Sequence, residues 1–232
     1  MSERTKISGH THLISLLGSP IRHSMSPATH NLSFEKLGVD SVYVVFDVQR
    51  GDLPSIIAAM KRMDGWDGSN VTMPCKQAII PLLDGLSDSA ELMGAVNVLK
   101  KEEDGRIIGH NTDGTGMMQN IRNHGEKIED KTITVVGPGG AGSAVLVQAA
   151  LDGAKRVHVF AREGGPSYVR STILLPRVQE KTGAEMILHA FENKEEMKEA
   201  IAESDILINA TPVGMGDSAG QTSVPAELIK EG

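Results

Sequence analysis

The chain has 232 residues, 40 % of them hydrophobic, with 23 Lys+Arg against 30 Asp+Glu and a formal net charge of −7. That length allows one large domain or two modest ones and a core that needs no disulfide or metal staple, while the acid excess argues against broad phosphate-backbone binding to nucleic acid. The lone cysteine, Cys75, cannot form an internal bridge, no run approaches the roughly 18 apolar residues of a membrane span, and the amino terminus lacks the apolar core of a signal peptide. A cytoplasmic protein with no membrane partner is expected. The unusual number is glycine, 25 residues, beside only 3 % aromatics.

In chain order, residues 12–17 read as a strand and residues 26–37 as a helix with Pro27 near its start, where a missing N–H costs nothing. A strand over 42–48, a helix over 53–63, a strand over 67–71 and a third helix over 74–83 follow, a βαβα alternation that implies a mostly parallel sheet. Residues 95–99 and 106–109 flank Glu103-Asp104-Gly105 as a hairpin, and 113–124 reads as a connecting helix closed by Gly125. The alternation then restarts with a strand over 132–136, a helix over 142–151 and a strand over 156–161. A helical stretch over 167–181, which Pro176 should break or kink, precedes a strand over 184–189, a helix over 194–202 and a strand over 205–209. A boundary near residues 111–131 gives two α/β domains.

Gly137-Pro138-Gly139-Gly140-Ala141-Gly142 follows a strand and opens a helix, the context in which a GxGxxG pattern points to a dinucleotide. Gly137 permits the tight turn, Gly139 lets the backbone approach a pyrophosphate, and Gly142 lets helix and strand pack closely; the helix amino terminus adds N–H groups and partial positive charge. The other reading is a plain strand-turn-helix connection. About 20 residues on, where an acidic side chain would hold the ribose of NAD and an arginine the extra phosphate of NADP, the chain has Ala161-Arg162-Glu163. Both signals are present, and Arg162 favours NADP.

Before the first helix, Ser24 and Ser26 could bind a carboxylate, or Ser26 could simply be its N-cap. Asn70, Thr72 and Lys76 cluster at the carboxyl end of a strand, where open α/β sheets bind ligands. Asp113 could be catalytic or a helix-capping carboxylate, and Asn97 is an amide in an apolar strand that needs a partner if buried. If these residues converge, a Lys beside an Asp supplies the proton exchange that alcohol oxidation requires. The 8 histidines show no metal-binding spacing, no Walker lysine or GxSxG serine is present, and the 11 methionines read as dispersed core filler.

In order along the chain stand GSPIRHSMSPATHN, NVTMPCK, GAVN, GHNTDGTG, GPGGAG and NATPVGM. On these motifs the chain resembles the shikimate dehydrogenases, including their quinate/shikimate variants, over essentially its whole length. The resemblance implies a substrate-binding and catalytic α/β domain over 1–115 and a Rossmann-like NAD(P)-binding domain over 116–232. It implies that Ser24 and Ser26 hold the shikimate carboxylate, that Asn70, Thr72, Asn97 and Asp113 hold its hydroxyls, and that Lys76 and Asp113 are the catalytic pair, Lys76 being the acid/base group. Gly139, Gly140 and Ala141 would wrap the pyrophosphate, with Thr211, Val213 and Met215 near the nicotinamide. The implied reaction is reversible NADP-dependent reduction of 3-dehydroshikimate to shikimate, towards aromatic amino acids, by a monomer or homodimer. Quinate catabolism with NAD or NADP, or a binding-only fragment, are the alternatives. Two departures stand out: Ala161 and Glu163 flank Arg162 where the family usually has Asn-Arg-Thr/Ser, and members continue past NATPVGM to a substrate-binding glutamine, so a nucleotide domain cut short after about four strands is expected.

Overall fold

The computed structural model describes residues 7–214 and 218–229, and the chain divides into two compact units, Met1–Asn111 and Thr112–Gly232.

The first unit contains β1 (His12–Gly18), α1 (Ser26–Leu37), β2 (Ser41–Asp47), α2 (Leu53–Lys61), β3 (Trp66–Val71), β4 (Gly85–Leu86), α3 (Asp88–Met93), β5 (Val98–Lys101) and β6 (Ile107–His110). They form a six-stranded sheet in the order β2-β1-β3-β5-β6-β4. β1 runs parallel to β2 and β3, whereas β5 is antiparallel to β3 and β6, so the hairpin makes the sheet mixed. Gly105 supplies the left-handed turn residue of that hairpin at φ 83°. Leu17, Leu53, Trp66, Ile79 and Ile107 are fully buried in one core cluster, each stabilising the fold by about 1.5–3 kcal/mol or more. Two polar groups cross the sheet without penalty because they satisfy each other: Ser15 and Ser69 hydroxyls lie 2.6 Å apart, and the Trp66 indole donates to Ser69 Oγ.

Two expectations for this unit need correction. Residues 74–83 do not form an α-helix; they make turns and a short 3₁₀ segment, Ile80–Leu82. Pro81 has no N–H to donate and its ring would strike the carbonyl four residues back, so Ile80, Leu82 and Leu83 bond three residues back instead. The sequence reading also passed over α3, which Ser87 caps by accepting the Ala90 amide and which Gly94 ends at a left-handed φ of 58°. Asn97 lies just before β5 rather than within a strand.

The second unit contains α4 (Asp113–Asn123), β7 (Thr132–Val136), α5 (Gly140–Leu151), β8 (Arg156–Ala161), α6 (Pro166–Thr182), β9 (Glu185–Ala190), α7 (Lys194–Glu203) and β10 (Ile206–Asn209). Its sheet is all parallel in the order β10-β7-β8-β9. The winding direction reverses between β7 and β10, and ligands of open α/β sheets bind at the carboxyl ends of strands flanking such a switch. β7 and β8 are buried almost throughout, as strands covered on both faces must be. Gly114 lets α4 approach α5, since a Cβ there would run into the Ala144 carbonyl. Pro176 does not end α6: the helix continues from Pro166 to Thr182 because Leu175 and Val178, on either side, are anchored in the core, and that packing offsets the proline's cost of about 3 kcal/mol.

Candidate active site

In the second unit a cavity of about 560 Å³ opens at the switch point, lined by residues 136–139 after β7, by Ala161 and Arg162 at the end of β8, and by Thr211 and Val213 after β10. Gly137, at φ 87°, donates its amide to the Phe160 carbonyl and leaves no space for a side chain beside Thr211. Gly142 lies against the Gly137 carbonyl so closely that a Cβ would collide with it, which fixes α5 against the loop. Gly139 and Gly140 behave differently, for a Cβ on either would meet nothing within 4 Å. Their backbone therefore faces room for a ligand, and the first amides of α5, Gly140, Ala141 and Gly142 among them, have no intrahelical acceptor. This is the cradle that a pyrophosphate fits.

Arg162 is exposed at the cavity wall and makes no ion pair among the described residues. Beside it, Gly165, Pro166 and Ser167 at the amino terminus of α6 also line the cavity, so a second helix start faces the same space. Glu163 is exposed and is not part of the lining; its amide donates to the Glu192 carboxylate at 3.2 Å. The loop after β10 is organised by Asn209, whose carbonyl oxygen accepts from the Thr211 amide and hydroxyl and whose amide nitrogen donates to the Val213 carbonyl. Met215 lies outside the described residues. Sequence reasoning missed Ser167 and Asn209 as parts of this site. The Gly165-Pro166-Ser167 helix-start signal was available for the first, whereas the second depends on a loop conformation that spacing alone does not show.

In the first unit the polar residues gather at one edge of the sheet. β1 and β3 end there in parallel, and antiparallel β5 begins there. The Val71 amide donates to the Asn97 carbonyl at 2.8 Å, the Val96 amide to the Lys76 carbonyl at 2.9 Å, and the Thr72 amide to the Leu17 carbonyl at 2.9 Å. Asn70, Thr72, Lys76 and Asn97 are thereby carried on adjoining segments, and Asn97 is only 9 % exposed. Ser26 is not the N-cap of α1; that position is Met25, and the Ser26 amide instead donates to Ser24 Oγ at 3.2 Å. The Tyr43 phenol donates to Asn70 Oδ1 at 2.8 Å. Asp113 is likewise no cap. It is the first residue of α4, following Thr112, and belongs to the second unit. Among the described residues no cluster of His, Cys, Asp and Glu could hold a metal ion, and no helix is long and apolar enough to cross a membrane.

The family model of the shikimate dehydrogenase substrate binding domain matches residues 16–99. An NADP(+) shikimate dehydrogenase of Streptococcus uberis is 45 % identical over 216 residues, which cover 93 % of this chain and 72 % of the relative. The chain belongs to the shikimate dehydrogenase family. Among solved members, shikimate 5-dehydrogenase from Listeria monocytogenes, in complex with shikimate and NAD, superposes with a TM-score of 0.92 at 41 % identity, covering 97 % of this chain and 77 % of that one. Quinate dehydrogenase from Corynebacterium glutamicum, in complex with NAD, is similar at a TM-score of 0.78 and 28 % identity, covering 94 % and 77 %. The shikimate dehydrogenase architecture, an amino-terminal substrate domain followed by a Rossmann-like domain, is the α/β arrangement described above.

Proposed function

We propose that the chain is an NADP-dependent shikimate dehydrogenase, reversibly reducing 3-dehydroshikimate to shikimate, with residues 1–115 as the substrate-binding and catalytic domain and 116–232 as the cofactor domain. The observation that carries this reading is the switch-point cavity with a glycine cradle at one side and Arg162 beside the start of α6 at the other. A pyrophosphate suits the first and the extra phosphate of NADP the second. Bound NADP supplies the hydride acceptor in the direction of alcohol oxidation. Ser24 and Ser26 hold the substrate carboxylate, Asn70, Thr72, Asn97 and Asp113 its hydroxyls. Lys76 takes the hydroxyl proton as hydride leaves the same carbon and returns it in reduction, paired with Asp113. Gly137 and Gly142 shape the cradle, Gly139, Gly140 and Ala141 present main chain to the pyrophosphate, and Ala161, Arg162 and Glu163 flank the adenosine end. Thr211 and Val213 line the opposite wall. The enzyme acts on small molecules in the cytoplasm, a reducing compartment that a single unbridged cysteine suits, as a monomer or homodimer.

The test is initial-rate spectroscopy on the purified protein with shikimate or quinate and NADP or NAD. Shikimate-dependent NADPH formation is expected; a protein that turns over only quinate, or neither, contradicts the reading.

A further inference from the structure

Tyr43 lies on β2, away from every chain segment in which the motifs place a functional group, and it is 1 % exposed. Its ring stacks on the His30 imidazole, with centroids 4.3 Å apart and planes 9° from parallel. Asn31 clamps its backbone from both sides, accepting the Tyr43 amide at 2.8 Å and donating to the Tyr43 carbonyl at 2.9 Å. A side chain held this firmly directs its hydroxyl to one place. The phenol donates to Asn70 Oδ1 at 2.8 Å. Burial raises its pKa above the ordinary tyrosine value, so it stays a donor at neutral and mildly alkaline pH.

We propose that Tyr43 is a positioning residue for substrate: its hydroxyl fixes the rotamer and amide orientation of Asn70 from behind the site. The geometry gives the reason. A phenol O–H bonded to the amide oxygen disfavours the flip that would put the NH₂ in its place, so Asn70 keeps its NH₂ available to donate to an oxygen of the ligand. The inference rests on the assignment of Asn70 to shikimate.

The experiment is steady-state kinetics of Tyr43→Phe, which keeps the ring and its stacking, beside Asn70→Ala and the double variant. Shikimate KM is expected to rise about tenfold in Tyr43→Phe with kcat changed less than threefold and NADP KM unchanged, and the double variant should be no worse than Asn70→Ala. An unchanged shikimate KM, a parallel rise in NADP KM, or additive effects in the double variant would overturn it. Should Tyr43→Phe melt below the assay temperature, the Asn70 side-chain amide signals of the unsubstituted protein decide: one sharp, solvent-protected pair is expected, and doubled or exchange-broadened signals overturn the proposal. Wild-type protein inactive towards shikimate would instead refute the functional reading itself.

Discussion

The second unit offers its cavity mostly main chain: the amides that open α5, the open backbone at Gly139 and Gly140, and a loop pinned by Asn209. The first unit offers side chains, Asn70, Thr72, Lys76 and Asn97, carried to one sheet edge by backbone bonds between neighbouring segments. A main-chain site is encoded in the absence of Cβ atoms and fails by steric intrusion. A side-chain site is encoded in chemistry and fails when a functional group is removed or turned. The two should therefore respond to different substitutions.

The largest effect is expected at Lys76. Replacing it with alanine removes the proposed proton carrier, and general acid–base groups contribute about 10²–10⁴ in rate. Turnover with shikimate should fall by that factor while NADP affinity, measured by calorimetry, stays within twofold. Next, Arg162→Ala should lower kcat/KM for NADP about a hundredfold and leave the value for NAD nearly unchanged, because the guanidinium faces the cavity without an ion-pair partner among the described residues. The glycines then separate packing from binding. Gly142→Ala must push against the Gly137 carbonyl and should lose about 1–3 kcal/mol of stability in thermal melts. Gly139→Ala meets no protein atom; its Tm should hold while NADP KM rises about tenfold.

The smallest expected effect lies away from both sites. His158 is buried, its Nδ1 lies 2.9 Å from His189 Nε2, and its Nε2 lies 2.6 Å from Glu203 Oε1. His189 in turn contacts Glu196, and Arg156 bonds both Glu185 and Glu203. Burial, then the neighbouring His189, pushes the His158 pKa down, with Glu203 opposing. The unfolded chain then binds more protons below the ordinary histidine value. The contribution of His158 is present above that value and lost as pH falls through it, at no more than about 1.4 kcal/mol per pH unit. Melting temperature should drop less steeply between about pH 7 and pH 5 in His158→Gln than in the wild type; equal slopes would show that His158 is not the group responsible.

How much of this was legible followed the same division. The glycine loop, the hairpin turn at Gly105 and the alternating strands of the second unit are local signals, written in spacing and in residues that tolerate positive φ. Residues 74–83 misled because apolar spacing and an opening proline suggest a helix, while Pro81 interrupts its ladder from within. Pro176 does not break its helix, and spacing could not show that, since packing on both sides of it is a tertiary fact. Tyr43 was invisible as a site residue because its role depends on β2 lying beside β1 and on a contact to Asn70 across 27 positions of sequence.

The central claim is that the cofactor is recognised mainly by main chain of the second unit and the substrate by side chains that, Asp113 aside, belong to the first, and amide chemical-shift mapping of the ¹⁵N-labelled protein tests it most directly. NADP alone should move the signals of Gly139, Gly140, Ala141 and Arg162 and leave Asn70, Thr72 and Asn97 in place, and shikimate alone should move those of Ser26, Asn70, Thr72 and Asn97. NADP shifts centred on the first unit's sheet edge, with the glycine loop unmoved, would contradict the account.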